Sequence, residues 1–112
     1  MNTNSNAKLT LSELVERRAA NPNLILVEAL PEKYFRDGHL PGAKHMPHDQ
    51  VTQLAPTLLT DRSAEIVVYC ASDTCRNSDI AAQTLNRMGY TNVAVFTGGK
   101  QSWADAGLSF SH

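Results

Sequence analysis

Ile66-Val67-Val68-Tyr69-Cys70-Ala71-Ser72-Asp73-Thr74-Cys75-Arg76-Asn77 is the stretch that decides the fold. Its first four residues are β-branched or aromatic with no polar interruption, the pattern of a strand buried on both faces. The strand runs straight into Cys70. Small and polar residues, Ala71 to Asn77, then form a loop. Beyond them Ile80, Ala81, Thr84, Leu85 and Met88 recur at helical spacing, which predicts a helix over 78–88 with Gly89 as its stop.

The same alternation extends outward. On the C-terminal side, Val93 to Phe96 reads as another strand. Gly98-Gly99 reads as a tight turn, and Lys100 to Ala106 as a short helix with Trp103 facing the core. On the N-terminal side, Leu24 to Val27 is a buried strand and Ala43 to Met46 a weak one. Thr10 and Glu13 form a capping box that opens a helix over 11–19, and Asn21-Pro22-Asn23 ends it. Pro31 can open a short helix holding Tyr34 and Phe35, ending near Gly38, and Asp49 to Leu59 is helical with Pro56 interrupting. Strands alternating with helices specify an α/β fold with a mostly parallel sheet. Met1 to Ala7 is polar and aperiodic and reads as a flexible tail, leaving 8–112 as a single domain.

Composition excludes several classes. The 112 residues suit one domain, and 42% hydrophobic with 19% charged residues is ordinary for a globular protein. Ten Lys plus Arg against eleven Asp plus Glu give a net charge of -1, which argues against a basic field for nucleic acid. No apolar run is long enough to span a membrane, and the N-terminus lacks the pattern of a secretory signal, so the expected compartment is the cytoplasm. Two cysteines, Cys70 and Cys75, do not make a disulfide framework of the secreted kind.

In open α/β sheets, sites form outside the carboxyl ends of the strands. Cys70 occupies such a position. A loop of small residues lets the backbone curl, and curled N–H groups with a helix N-terminus create positive potential. That potential favours a thiolate and holds an anion beside it. Arg76 adds a positive charge. The bland alternatives are a small buried Cys70 and a solvated Arg76.

From about Leu9 to Leu108 the chain resembles the rhodanese-like domains. The matching pieces are Leu26-Val27-Glu28; Tyr34 with Gly38-His39-Leu40-Pro41-Gly42-Ala43; Val67-Val68-Tyr69-Cys70; Leu85 with Gly89-Tyr90-Thr91-Asn92-Val93; and Gly98-Gly99 with Trp103, Ala106 and Gly107. The resemblance implies a three-layer fold, with a five-stranded, mostly parallel sheet and helices on both faces. It implies that Cys70 takes a sulfane sulfur as a persulfide and passes it to a thiol or cyanide, with no cofactor. The donor would be a small anion such as thiosulfate, and a protein thiol could be the acceptor. Ala71, Ser72, Asp73, Thr74, Cys75 and Arg76 would form the anion-binding loop. Glu28, His39, Gly98, Gly99 and Trp103 would be structural, with His39 bonded to Glu28.

The chain also departs from that family. Leu30 stands where many members have Arg, and Glu28 where many have Asp, which puts a structural salt bridge in doubt. Asp73 stands where many active loops have Gly and should weaken anion binding. A second loop cysteine marks a subgroup. Cys75 admits three readings: a resolving thiol that forms a disulfide with Cys70, a second sulfur carrier, or a small packing residue. Two other functions compete. Cys70, five residues and Arg76 is the spacing of phosphatases and arsenate reductases, although Tyr69 stands where those enzymes usually have His. A non-catalytic binding or regulatory module is the other. His45 and His48, three apart, lack a second close pair and predict no metal site.

Overall fold

The computed structural model describes residues 6–112. The elements follow in the order β1 (Ala7–Leu9), α1 (Leu11–Ala20), β2 (Ile25–Glu28), α2 (Glu32–Asp37), β3 (Lys44–His45), α3 (Val51–Leu58), β4 (Ile66–Tyr69), α4 (Asn77–Arg87), β5 (Val93–Phe96) and α5 (Gly99–Asp105). Five strands form one sheet in the order β1-β5-β4-β2-β3, with every pairing parallel. The fold is α/β and three-layered, as expected.

Residue alternation along the strands builds the two core layers. Ile66, Val68, Val93 and Val95 face one side and pack with Val51 and Ala55 of α3 and Ala81, Ala82 and Leu85 of α4. Val67, Tyr69, Ala94 and Phe96 face the other and pack with Leu14 of α1 and Trp103 of α5. Trp103 is held inward, its indole N–H donating to the carbonyl of Ser109 at 2.9 Å. The capping box at α1 forms in both directions: the Glu13 amide donates to Thr10 Oγ1 at 3.2 Å, and the Thr10 amide to Glu13 Oε1 at 2.9 Å.

Two expectations need correction. Ala7, assigned to a flexible tail, opens β1 and pairs with Ala94 of β5; the rest of that tail, apart from Asn6, lies outside the described residues. A strand of three residues with Lys8 at its centre carries too little periodicity to read, and tertiary pairing with β5 makes it a strand. His39 does not bond Glu28. Its Nδ1 lies 3.0 Å from the carbonyl of Phe35, and its ring stacks on that of Phe35 at 3.9 Å. Phe35 lies one helical turn before His39, so the local partner is met first.

Glu28 is fully buried and is held from elsewhere. Glu28 and Tyr69 are register partners on β2 and β4, and the Tyr69 hydroxyl donates to Glu28 Oε1 at 2.7 Å. The same hydroxyl accepts from the Leu40 amide at 3.1 Å. Burial, and secondly the Glu28 charge, push the Tyr69 phenol well above its ordinary 10.0, so it stays a donor. The Lys100 ammonium sits 3.1 Å from Glu28 Oε2. That contact is an ion pair outside hydrogen-bond directions, and the ammonium donates to the carbonyl of Tyr34 at 2.6 Å. Lys100 therefore supplies the counter-charge that Leu30 cannot; Leu30 is buried, and its carbonyl meets His45 Nε2 at 2.7 Å.

Candidate functional site

Cys70 follows the last residue of β4, the central strand, and is 1% exposed. The start of α5 clamps its backbone. The Lys100 amide donates to the Cys70 carbonyl at 3.0 Å and the Gln101 amide to the Ala71 carbonyl at 2.8 Å. This approach requires glycine: Gly99 has φ +58°, and a Cβ there would overlap the Cys70 carbonyl. At Gly98 a Cβ would overlap the side chain of Ser102.

The loop curls back within five residues. The Cys75 amide donates to the Ser72 carbonyl at 3.1 Å, and the Ser72 and Thr74 hydroxyls lie 3.1 Å apart. This turn carries Cys75 over the strand end, and the two sulfurs are joined as a disulfide with a Cα–Cα distance of 6.3 Å. That separation lies within the roughly 4.4–6.8 Å that disulfides span. The turn also engages the Cys75 amide, removing it from the expected anion cradle in this oxidised form.

Arg76 caps the start of α4 through its backbone, and its side chain is exposed. Asp73 and Thr74 are exposed, as is Ala71. A cleft of about 200 Å³ opens beside Cys75, lined by Lys8, Asp73, Arg76, Ser78, Asp79 and Thr97 among others. Two cations, Lys8 and Arg76, face two carboxylates there, and Lys8 pairs with Asp79 at 3.0 Å. The charge balance is thus less favourable to an anion than a lone Arg76 suggests.

Ser78, Lys8 and Lys100 join the site without having been expected there from the sequence. Ser78 is buried in the first turn of α4, and its hydroxyl lies 3.4 Å from Cys70 Sγ. It was legible in principle: Ser78 shares the buried face of α4 with Ala81, Ala82 and Leu85, a polar residue on an apolar stripe pointing at the strand end. Lys8 and Lys100 come from other elements, and no local pattern marks them.

The histidines lie apart from this site. His45 stacks on Phe35 at 4.8 Å. His48 has a buried Nδ1 without a protein partner, and both residues line a separate cleft with Pro31, Glu32 and Leu54. Among the described residues, no group of three or more His, Cys, Asp or Glu could hold a metal ion, and no helix is long and apolar enough to cross a membrane.

Several known proteins resemble this chain. YqhL, an uncharacterized protein of Bacillus subtilis, is 32% identical over 94 residues, covering 84% of this chain and 71% of that protein. The thiosulfate sulfurtransferase PspE of Escherichia coli is 34% identical over 64 residues, 57% of this chain and 59% of PspE. The crystal structure of a thiosulfate sulfurtransferase from Pseudomonas aeruginosa shares the fold at a TM-score of 0.82 and 22% identity, covering 96% of this chain and 20% of that one. A family model described as a rhodanese-like domain matches residues 10–106. By that match and by the YqhL relationship, this chain belongs to the rhodanese-like domain family.

Proposed function

We propose that this chain is a sulfurtransferase that moves a sulfane sulfur from an anionic donor such as thiosulfate, through a persulfide on Cys70, to a thiol or cyanide. One observation carries the proposal: Cys70 directly follows the central strand, beneath the first turn of α4, with the Ser78 hydroxyl 3.4 Å from its sulfur. A hydroxyl donor and the helix N-terminus favour a thiolate there. The sulfurtransferase name carried by PspE supports the same reading.

The reaction is two displacements. The Cys70 thiolate attacks the outer sulfur of thiosulfate, the S–S bond breaks, and sulfite leaves with the bonding pair. An acceptor nucleophile then attacks the terminal sulfur, and Cys70 leaves as thiolate. The disulfide with Cys75 blocks the first step, so the active form is the reduced one. Its loop amides between Ala71 and Arg76, other than that of Cys75, which the Ser72 carbonyl engages, hold the anion, and Arg76 adds an exposed charge. Glu28 with Lys100, His39, Gly98, Gly99 and Trp103 keep the strand end in place. Reliance on free thiols suits a reducing compartment such as the cytoplasm.

The test is sulfite release from thiosulfate by reduced protein, with thiocyanate formation when cyanide is added. Wild type should release one sulfite per chain in a single turnover, and Cys70→Ser none. Equal release from both, or none from wild type, would refute the assignment of Cys70.

A further inference from the structure

A persulfide carrier needs one cysteine, and this site has two. Cys75 reaches Cys70 because the turn closed by the Cys75 amide on the Ser72 carbonyl carries it back over the strand end. The structure joins Cys75 Sγ to Cys70 Sγ itself. In a persulfide on Cys70, that atom is the inner sulfur. The two cysteines also differ in access: Cys70 is buried, whereas Cys75 is part-exposed and lines the cleft with Lys8 and Arg76.

We infer that Cys75 resolves the Cys70 persulfide within the chain, so that this protein releases the sulfane sulfur as hydrosulfide and takes its electrons from a dithiol. The inference rests on the proposed sulfurtransferase reading and names its acceptor. Once Cys70 carries the extra sulfur as an anionic persulfide, the Cys75 thiol passes its proton to the terminal sulfur as its own sulfur attacks the inner one. The Cys70–Cys75 bond forms, the bond to the terminal sulfur breaks, and hydrosulfide leaves with the bonding pair and the Cys75 proton. The sulfane sulfur is reduced and the two cysteines are oxidised, so no other oxidant enters. A tethered thiol presents an effective concentration on the order of millimolar or more, which favours this route over capture by a dilute external acceptor.

Burial sets the direction of the return. An external thiolate meets Cys75 Sγ from the cleft, forms a mixed disulfide there and displaces Cys70 as thiolate. Cys70 is the better leaving group because Ser78 and the start of α4 receive its charge. The second thiol of the dithiol then attacks the mixed disulfide, freeing Cys75 and closing its own disulfide. In sum, thiosulfate and a dithiol become sulfite, hydrogen sulfide and the oxidised dithiol.

The experiment is a single turnover with thiosulfate and no external thiol, on reduced and desalted wild type, Cys75→Ser and Cys75→Ala. Sulfite, sulfide and intact mass are read together. Wild type should release sulfite and sulfide in equal amounts and end two hydrogens lighter than the reduced chain. The sulfide rate per chain should not change on tenfold dilution, as an intramolecular step requires. In both Cys75 variants sulfide should fall to background, and the chain should gain one sulfur. Dithiothreitol should make wild-type sulfide release continuous. Wild type that releases sulfite yet keeps the added sulfur would overturn the inference and leave the sulfurtransferase reading standing. Sulfite from none of the three proteins would overturn both.

Discussion

Tyr69→Phe removes one oxygen atom, and the structure says that the loss is expensive. That hydroxyl donates to the buried Glu28 carboxylate at 2.7 Å and accepts from the Leu40 amide at 3.1 Å. Phenylalanine would leave a buried carboxylate oxygen without its donor and a buried N–H without its acceptor. A bond to a charged group contributes about 1.5–3 kcal/mol, and an orphaned buried donor costs about 1–3 kcal/mol. Their combined effect is about 2.5–6 kcal/mol, a large share of the roughly 5–15 kcal/mol that stabilises a small domain. At about 4 °C per kcal/mol for a chain of this size, the melting temperature should fall by roughly 10–24 °C.

The control is Tyr90→Phe. The Tyr90 hydroxyl is a donor only, to the carbonyls of Leu59 and Ala55, and the Ala55 carbonyl keeps the Leu59 amide at 2.7 Å. Its loss takes the Tyr90 donor from the buried Leu59 carbonyl, with no charged group involved, and should cost about 1–2 kcal/mol. Urea unfolding of the two variants beside wild type measures both. Equal costs would refute the larger contribution assigned to the Glu28–Tyr69–Leu40 chain. The pH dependence offers a second check. The folded state holds the Tyr69 phenol above its ordinary 10.0, so above that pH the unfolded chain gives up a proton that the folded chain keeps. This contribution to stability is complete below pH 10 and declines above it, approaching about 1.4 kcal/mol per pH unit. Tyr69→Phe lacks it, so the gap between variant and wild type should narrow as pH rises past 10.

Two further substitutions probe the site. Ser78→Ala removes the hydroxyl 3.4 Å from Cys70 Sγ. Losing a bond worth about 1 kcal/mol should raise the midpoint of the pH–rate profile for sulfite release by about 0.7 unit, which a purely structural role would leave in place. Gly99→Ala should destabilise the fold by more than about 1 kcal/mol, since φ is +58° and the new Cβ overlaps the Cys70 carbonyl. Urea unfolding reads that cost, and sulfite release should fall with it because the α5 clamp on the loop is displaced.

Much of this architecture was legible because it is local. The unbroken Ile66–Tyr69 run, the Thr10–Glu13 capping box and the stripe of Ala81 and Leu85 each obey a short period, and each appears where the pattern put it. Cys70 was legible too, as the residue after a buried strand. The resemblance supplied the fifth strand, but not its place: Ala7–Leu9 is too short and too polar to read, and only pairing with Val93–Phe96 makes it β. His39 failed in the opposite direction. A distant partner, Glu28, was expected, and a carbonyl one turn away satisfied the ring instead.

Strand and helix periods, the α/β class and a cysteine at a strand end are readable from residue order, since these depend on neighbours within a turn or a pleat. Which distant charge meets Glu28, which hydroxyl meets Cys70, and the bond between Cys75 and Cys70 emerge when the chain folds. Burying a carboxylate requires a counter-charge from whichever element packs there, and Lys100 arrives only because α5 docks against the end of β4. A disulfide requires two sulfurs within bonding reach. That distance follows from the path of the loop, closed by the Ser72–Cys75 turn, and residue spacing alone does not specify a path.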